Sequence, residues 1–257
     1  MRTLPGFAAN VMPMLDAAQK IAVQLMRAEN ASQLDDVLRE ACDRIGCRFF
    51  ALSHHIDFLA SPGTGLRIHN YPEEWAEWFD RRRLGTSDPV HRASQRTAAG
   101  FIWRDVPKFI KLHAADKAVL AKARRHGIGE GLTIPAHIPG DAHGSCSFAW
   151  ASGQAANDDA LTFAQSIGSF AFEAARRLHS PVAIERPRLT DRQRECMIWV
   201  ARGKTDWEIS QILGLRPATV VEHLKNARDR YDATTRVTLT VRALFDGALN
   251  FGEIAGR

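Results

Sequence analysis

Two groups of side chains in this 257-residue sequence have types and spacings suited to chemistry. The first lies near the C-terminus. A helical stretch opening at Pro217 carries Val220, Leu224, Ala227 and Tyr231 as an apolar stripe. Thr219, Glu222, His223, Lys225, Asn226 and Arg228 fall outside that stripe, offering donors and acceptors at a pitch that fits a major groove. Lys204 and Thr205 stand just before the preceding helix, where free backbone N–H groups and a cation can hold a phosphate. By residue type alone, an ordinary solvated helix looks the same. The second group is Tyr71, Trp75 and Phe79, spaced i, i+4, i+8 on one helical face, followed by Asp88-Pro89 and Trp103. Aromatics at this spacing are more often core than ligand box. Asp before Pro is an ordinary helix start, the carboxylate capping free N–H groups. Trp103, in a short apolar strand, reads as a core tryptophan.

Other reactive residues lead to no site. His137-x5-His143-x2-Cys146 comes nearest to a metal cluster, but it spans a hairpin turn and lacks a fourth ligand. His54 and His55 point to opposite faces of a strand. There is no GxSxG, P-loop or GxGxxG, and no nucleophile–base pair, so no enzyme is expected. Cys42, Cys47, Cys146 and Cys196 show no ligand-like spacing and suit reduced thiols in a cytoplasm. Asp80-Arg-Arg-Arg83 reads as a solvated helix end, where cations suit the dipole.

The elements that must position these residues follow from composition and punctuation. Hydrophobic residues make up 45% and charged residues 25% of the chain, which excludes wholesale disorder and a disulfide-stapled miniprotein. No apolar run is long enough to span a bilayer, and the first twenty residues do not form a convincing secretory signal. Ser180–Arg188, with two prolines and no helical period, marks a linker. The formal net charge is +5, and residues 186–230 alone hold 10 Lys/Arg against 6 Asp/Glu. A polyanionic partner for that segment is therefore expected. Before the linker, helices are expected at 11–28 and 32–45, the second with Ser32 as N-cap and Asp35 at N3. Strands at Arg48–Asp57, Gly65–His69, Gly100–Trp103, Gly131–Ile138 and Ser145–Ser152 are bracketed by helices near Pro72–Arg83, Pro89–Arg96, Ala114–His126 and Asp158–Leu178. After the linker come four short helices, from Thr190 to Arg202, Asp206–Leu213, Pro217–Tyr231 and Thr235–Leu249.

Leu189-Thr190, Arg192, Glu195, Gly203-Lys204-Thr205, Glu208-Ile209, Ile212-Leu213, Thr219-Val220, His223-Leu224 and Asn226 together resemble the LuxR/GerE-type DNA-binding domain. The match covers the whole C-terminal segment. Gln193 stands where the family usually has Glu, Ser210 replaces Ala, and Arg216-Pro217 replaces a Ser-containing helix start. The resemblance implies that Pro217–Arg230 enters the major groove. Lys225 is then the preferred base reader, and Val221 meets a thymine methyl. Lys204, Thr205, Thr219, Glu222, Asn226 and Arg228 complete the expected DNA-contacting set.

In the N-terminal segment, Tyr71-x3-Trp75, Asp88-Pro89-Val90, Trp103 and Gly127-Ile-Gly-Glu-Gly-Leu-Thr-Ile-Pro135 resemble the autoinducer-binding domain of LuxR-type quorum-sensing regulators, from about residue 15 to 178. The resemblance implies an N-acyl-homoserine lactone ligand. Trp75 then donates its indole N–H to the lactone carbonyl, and Asp88 accepts the ligand amide N–H. Tyr71 and Ser147 bind the acyl carbonyl or nearby oxygens, Trp103 walls the lactone, and Phe79 touches the tail, with many relatives carrying Tyr there. Thr133 and Ala149 are expected to line the pocket too.

The expected fold class is α+β: an N-terminal α/β/α sandwich with an antiparallel sheet (residues 1–179), a linker (180–188) and a C-terminal four-helix helix-turn-helix domain (189–257). The expected function is a cytoplasmic, ligand-responsive transcriptional regulator. It would bind as a homodimer to an inverted-repeat promoter site, pairing through the outer faces of helices 11–28 and 158–178, with no cofactor, metal or membrane. A regulator of the same architecture with another ligand, or none, is the alternative. An enzyme with a helical appendage is the alternative from another class.

Overall fold

Alternation along the strands decides the layering of the N-terminal part, because successive strand side chains point to opposite faces. The computed structural model describes residues 7–60, 63, 65–156, 158–179 and 187–255. The chain divides into two compact units that part near residue 182. In the first unit, α1 (Phe7–Arg27) and α2 (Ala31–Ile45) lead into β1 (Phe49–His54) and β2 (Arg67–His69). Helices α3 (Glu73–Arg81) and α4 (Pro89–Ser94) precede β3 (Phe101–Ile102). A 3-10 turn at Trp103–Asp105 runs into α5 (Val106–Phe109), then α6 (Ala114–Arg125), β4 (Ile128–Ala136), β5 (Gly144–Ala151) and α7 (Asp158–His179).

The five strands form one antiparallel sheet in the order β2-β1-β5-β4-β3. One face is apolar: Phe50, Leu52, Leu132, Ile134, Cys146 and Phe148 are fully or almost fully buried, beneath α2 and α7 with α1 packed outside. A Cβ on Gly168 of α7 would meet Ile134 at 2.8 Å, so only glycine lets the helix backbone come this close to β4. The other face carries Ser145, Ser147 and Ala149 of β5 and Thr133 of β4, and it is covered by α4 and α6. Helices pack over both faces of the central strands. This is the expected α/β/α arrangement.

Three local expectations need correction. The N-cap of α2 is Asn30, not Ser32: the Asn30 side chain accepts from the Gln33 N–H at 3.0 Å, and Gln33 Oε1 reaches back to the Glu29 N–H at 2.8 Å. Asn30 sits at φ −152°, where a cap must be extended, whereas Ser32 is already helical. Tyr71 lies before α3 rather than on it, because Pro72 caps that helix. The 3-10 turn and α5 between Trp103 and Phe109 were not expected at all.

The second unit is helical: α8 (Asp191–Ala201), α9 (Asp206–Leu213), α10 (Pro217–Arg230), α11 (Arg236–Phe245) and α12 (Phe251–Ala255). The four expected helices are present, but the last ends early. Gly247 turns the chain at φ +75°, and a short fifth helix follows. Cys196, Met197, Ile209, Val220, Leu224, Ala227 and Leu239 form its core. Gln193 fills the role of the usual Glu. It accepts the Thr190 N–H at 3.0 Å and donates its own N–H to Thr190 Oγ1 at 3.3 Å, an intact capping box. Ser210 is accommodated by its bond to the Trp207 carbonyl at 2.6 Å. Most of the expected linker, residues 180–186, lies outside the described residues. No helix among the described residues is long and apolar enough to cross a membrane.

The capping assignment is tested by urea unfolding. Asn30→Ala is expected to lower stability by about 1 kcal/mol, while Ser32→Ala changes it by only a few tenths. Equal losses for the two would return the cap to Ser32.

Candidate functional site

The polar face of the sheet opens on a cavity with about 800 Å³ of space free of protein atoms, part of it open to solvent. Its wall includes Tyr71, Trp75, Phe79, Asp88, Trp103 and Ser147, which the sequence separates by up to 76 positions. Each arrives by a different route. Trp75 and Phe79 project from α3, with ring centroids 5.9 Å apart. Asp88 is the N-cap of α4, where Oδ1 accepts from the Val90 and His91 N–H groups at 2.9 and 3.0 Å. Asp88 Oδ2 and the Trp75 indole N–H make no hydrogen bond among the described residues. The helix-start reading of Asp-Pro thus accounts for one oxygen of a buried carboxylate.

Ser147 belongs to a hydrogen-bonded row across three elements. Trp103 Nε1 donates to Thr133 Oγ1 at 2.8 Å, and Thr133 Oγ1 lies 2.8 Å from Ser147 Oγ. Gly131 allows this, since a Cβ there would meet the Trp103 indole at 2.5 Å. Thr133 and Ala149, expected in the pocket wall, stand behind it. Thr133 bonds two side chains of the wall, Trp103 and Ser147, and Ala149 packs with Trp75 and Ile128. Both are fully buried. Burial, with smaller help from Asp88, raises the Tyr71 hydroxyl above the ordinary phenol range and keeps it a donor at neutral pH.

Arg67, His69, Phe58 and His91 line the cavity as well, and none of them was expected there from the sequence. A signal existed for two of them: His69 and Arg67 stand two and four residues before Tyr71, on the same side of β2. Asp80, read as part of a solvated helix end, turns inward instead, and Arg67 Nη1 donates to its two oxygens at 2.5 and 2.7 Å. His91 Nδ1 donates to the Gly85 carbonyl at 2.8 Å, and its ring stacks on His55 at 3.9 Å and 11°. Among the described residues, no three or more His, Cys, Asp or Glu side chains are grouped to hold a metal ion.

The second candidate surface lies on α10. Val220, Leu224 and Ala227 are buried, and Val221, Glu222, Lys225 and Asn226 are exposed on the opposite side. Thr219 and Arg228 sit half-buried at the margins. Pro217 starts the helix at N1, and Arg216 gives no side-chain cap, so the fixed φ of proline replaces the usual capping bond. Lys204 and Thr205 are engaged at the start of α9. Thr205 caps the helix in a box with Glu208, and Lys204 Nζ donates to Glu208 Oε1 at 2.9 Å. The Thr205 N–H, Lys204 and the Thr205 hydroxyl hold the Glu208 carboxyl down at about 2.

Burial foremost, then the neighbouring His91, lowers the pKa of His55 well below the usual 6.5, and His69 and His143 shift the same way. Below pH 6.5 the unfolded chain takes up protons that buried His55 and His69 refuse in the folded unit, so stability falls with acidification, by up to about 1.4 kcal/mol per pH unit for each of these two; exposed His143 adds little. Melting temperature is expected to drop between pH 7 and 5, and less steeply in His55→Gln. A pH-independent melting temperature would contradict this.

Comparison with known proteins assigns a family to each of the two units. Residues 30–177 match the "Autoinducer binding domain" family and residues 187–243 match "Bacterial regulatory proteins, luxR family". The chain is 31% identical over 228 residues to the HTH-type quorum sensing-dependent transcriptional regulator RpaR of Rhodopseudomonas palustris, covering 84% of this chain and 93% of that protein. It is 26% identical over 242 residues to the transcriptional activator protein LuxR of Aliivibrio fischeri, covering 92% and 96%. In fold it is similar to Escherichia coli SdiA, with a TM-score of 0.65 at 22% identity, covering 91% of this chain and 98% of that one. With an autoinducer-binding domain ahead of a GerE-type helix-turn-helix domain, the chain belongs to the LuxR family of quorum-sensing transcriptional regulators.

Proposed function

We propose that the protein binds an N-acyl-homoserine lactone in the N-terminal cavity and promoter DNA through α10. The observation that carries this reading is the set of polar groups facing one cavity: the Trp75 indole, the Tyr71 hydroxyl and Asp88 Oδ2, beside a Ser147 hydroxyl that bonds Thr133 and keeps further hydrogen-bonding capacity. A lactone carbonyl, an amide N–H and an acyl carbonyl are the complement of that set. Trp75 takes the lactone carbonyl, Asp88 the amide N–H, and Tyr71 with Ser147 the acyl oxygen. Trp103 walls the ring, held by Thr133, and Phe79 meets the chain, with Ala149 behind. Each buried group left unpaired costs about 1–3 kcal/mol, so ligand and folded unit stabilise each other.

On α10, Lys225 reads a base edge and Val221 a thymine methyl, while Glu222 and Asn226 flank them on the same exposed side. Thr219, Arg228, Thr205 and Lys204 position the helix on phosphates. The net positive charge of 186–230 supports this assignment. The working species is a cytoplasmic homodimer on an inverted repeat, with 180–188 as the linker between domains 1–179 and 189–257. Leu15, Val23 and Met26 of α1 and Phe170 of α7 are exposed apolar side chains that suit the dimer surface. A second reading keeps the fold and changes the ligand, since the fold neighbour SdiA is known in complex with octanoyl-rac-glycerol.

Thermal melts of the full chain with a lactone panel and with octanoyl-rac-glycerol separate these readings. The lactone is expected to raise the melting temperature with its concentration, and Asp88→Asn to abolish most of the rise. No rise with any lactone would overturn the first reading. On DNA, Lys225→Ala is expected to cost about 1–3 kcal/mol on the specific site and relax its sequence preference. Lys204→Ala should weaken specific and random DNA alike. Equal losses for the two variants would overturn the division of roles.

A further inference from the structure

The cavity is polar at both ends, and the lactone reading uses only one of them. Strand register locates the other. Thr133, Ser147, Ala51 and His69 share one row across the sheet, and Ser145, Ser53 and Arg67 share the next. Strands lie about 4.8 Å apart, which puts His69 about 10 Å from Ser147 along the row, with Arg67 a further two residues along the edge strand. Ser53, Arg67 and His69 all line the cavity. They stand far from Trp103 and Thr133, where the lactone ring is assigned.

The polar groups at this far end are only partly occupied. Arg67 spends Nη1 on Asp80 and lies 4.9 Å over the Phe58 ring, which fixes its plane. Its Nε and Nη2 make no hydrogen bond among the described residues. The side chain is 31% exposed, so the guanidinium stands at the cavity rim. Nδ1 of His69 is buried with no partner among the described residues. A saturated alkyl tail laid against these groups would take them out of water without replacing the lost hydrogen bonds. Arginine offers donors only, so the partner that satisfies it is an acceptor.

From this arrangement we infer that Arg67 and His69 form a specificity site for an oxygen-bearing substituent on the distal part of the acyl chain, a hydroxyl, carbonyl or carboxylate, held by the free edge of the Arg67 guanidinium. The inference rests on the acyl-lactone reading of the same cavity. The Arg67–Asp80 pair between strand and helix then serves recognition as well as packing, because Asp80 orients the guanidinium and Arg67 selects the ligand.

The test is calorimetry on the full chain with ω-hydroxyacyl-homoserine lactones of four to ten carbons, each beside its unsubstituted alkanoyl partner of equal length. At the best length the wild type is expected to bind the hydroxylated member about tenfold tighter or better. Arg67→Met is expected to reduce that preference to twofold or less while keeping alkanoyl affinity. His69→Phe, which keeps a ring of similar size, should reduce the preference at least threefold and serves alone if Arg67→Met does not fold. A wild type that binds both series equally or prefers alkanoyl chains overturns the inference and leaves the lactone reading intact. An unchanged preference in the variants also overturns it. A wild type that binds neither series overturns the lactone reading itself.

Discussion

The structure of the sensor unit depends on one constraint: β4 and β5 are buried on both faces, and a strand sends alternate side chains to each. On β5 this sorts Cys146 and Phe148 toward the α2–α7 layer and Ser145, Ser147 and Ala149 toward the cavity. A shift of one residue in register would exchange the two sets, placing hydroxyls in the apolar layer and phenylalanine in the cavity. Such a slip is costly in both layers at once. The pairing is held further by Gly168 and Gly131, which allow a helix and an indole to lie directly against the sheet.

Polar satisfaction then ties the fold to the cavity wall. Trp103, Thr133 and Ser147 form a chain of hydrogen bonds that ties β3's end to β4 and β5, and the chain ends at the cavity wall. Asp88 does the same on the helical side, spending one oxygen on the start of α4 and keeping the other. Structural bonds lock the rotamers of these groups, so under the proposed lactone reading the recognition geometry needs little adjustment. The same logic runs through Arg67, which joins β2 to α3 through Asp80 while facing the cavity.

The helical unit meets its constraint by capping rather than by sheet register. Short helices leave a large share of their backbone groups unpaired at the ends, and this unit answers with capping boxes at Thr190 and Thr205 and a proline at N1 of α10. These devices leave the outer side of α10 free of internal bonds, with Val221, Glu222, Lys225 and Asn226 exposed. Lys204 shows the opposite balance, since its cation is shared with a Glu208 carboxylate that stays ionised.

Read alone, the sequence determined the family, the order of the two parts, the two-faced character of α10 and most of the strands and long helices. Those depend on local periodicity, on caps within four residues and on motif spacing. It also singled out Tyr71, Trp75, Phe79, Asp88, Trp103 and Ser147, although their residue types alone suited an ordinary core. Tertiary structure decided what those side chains share. Thr133 lies beneath Trp103 and Ser147, and Ala149 beneath Trp75, a matter of which side chains from other elements pack above them. Asp80 read as part of a solvated helix end, and is instead bonded to Arg67 of β2, thirteen residues earlier. Asn30 took the cap from Ser32 by adopting an extended backbone one residue before the helix. In each case the deciding partner is either a backbone angle or a residue distant in sequence, which local pattern does not record.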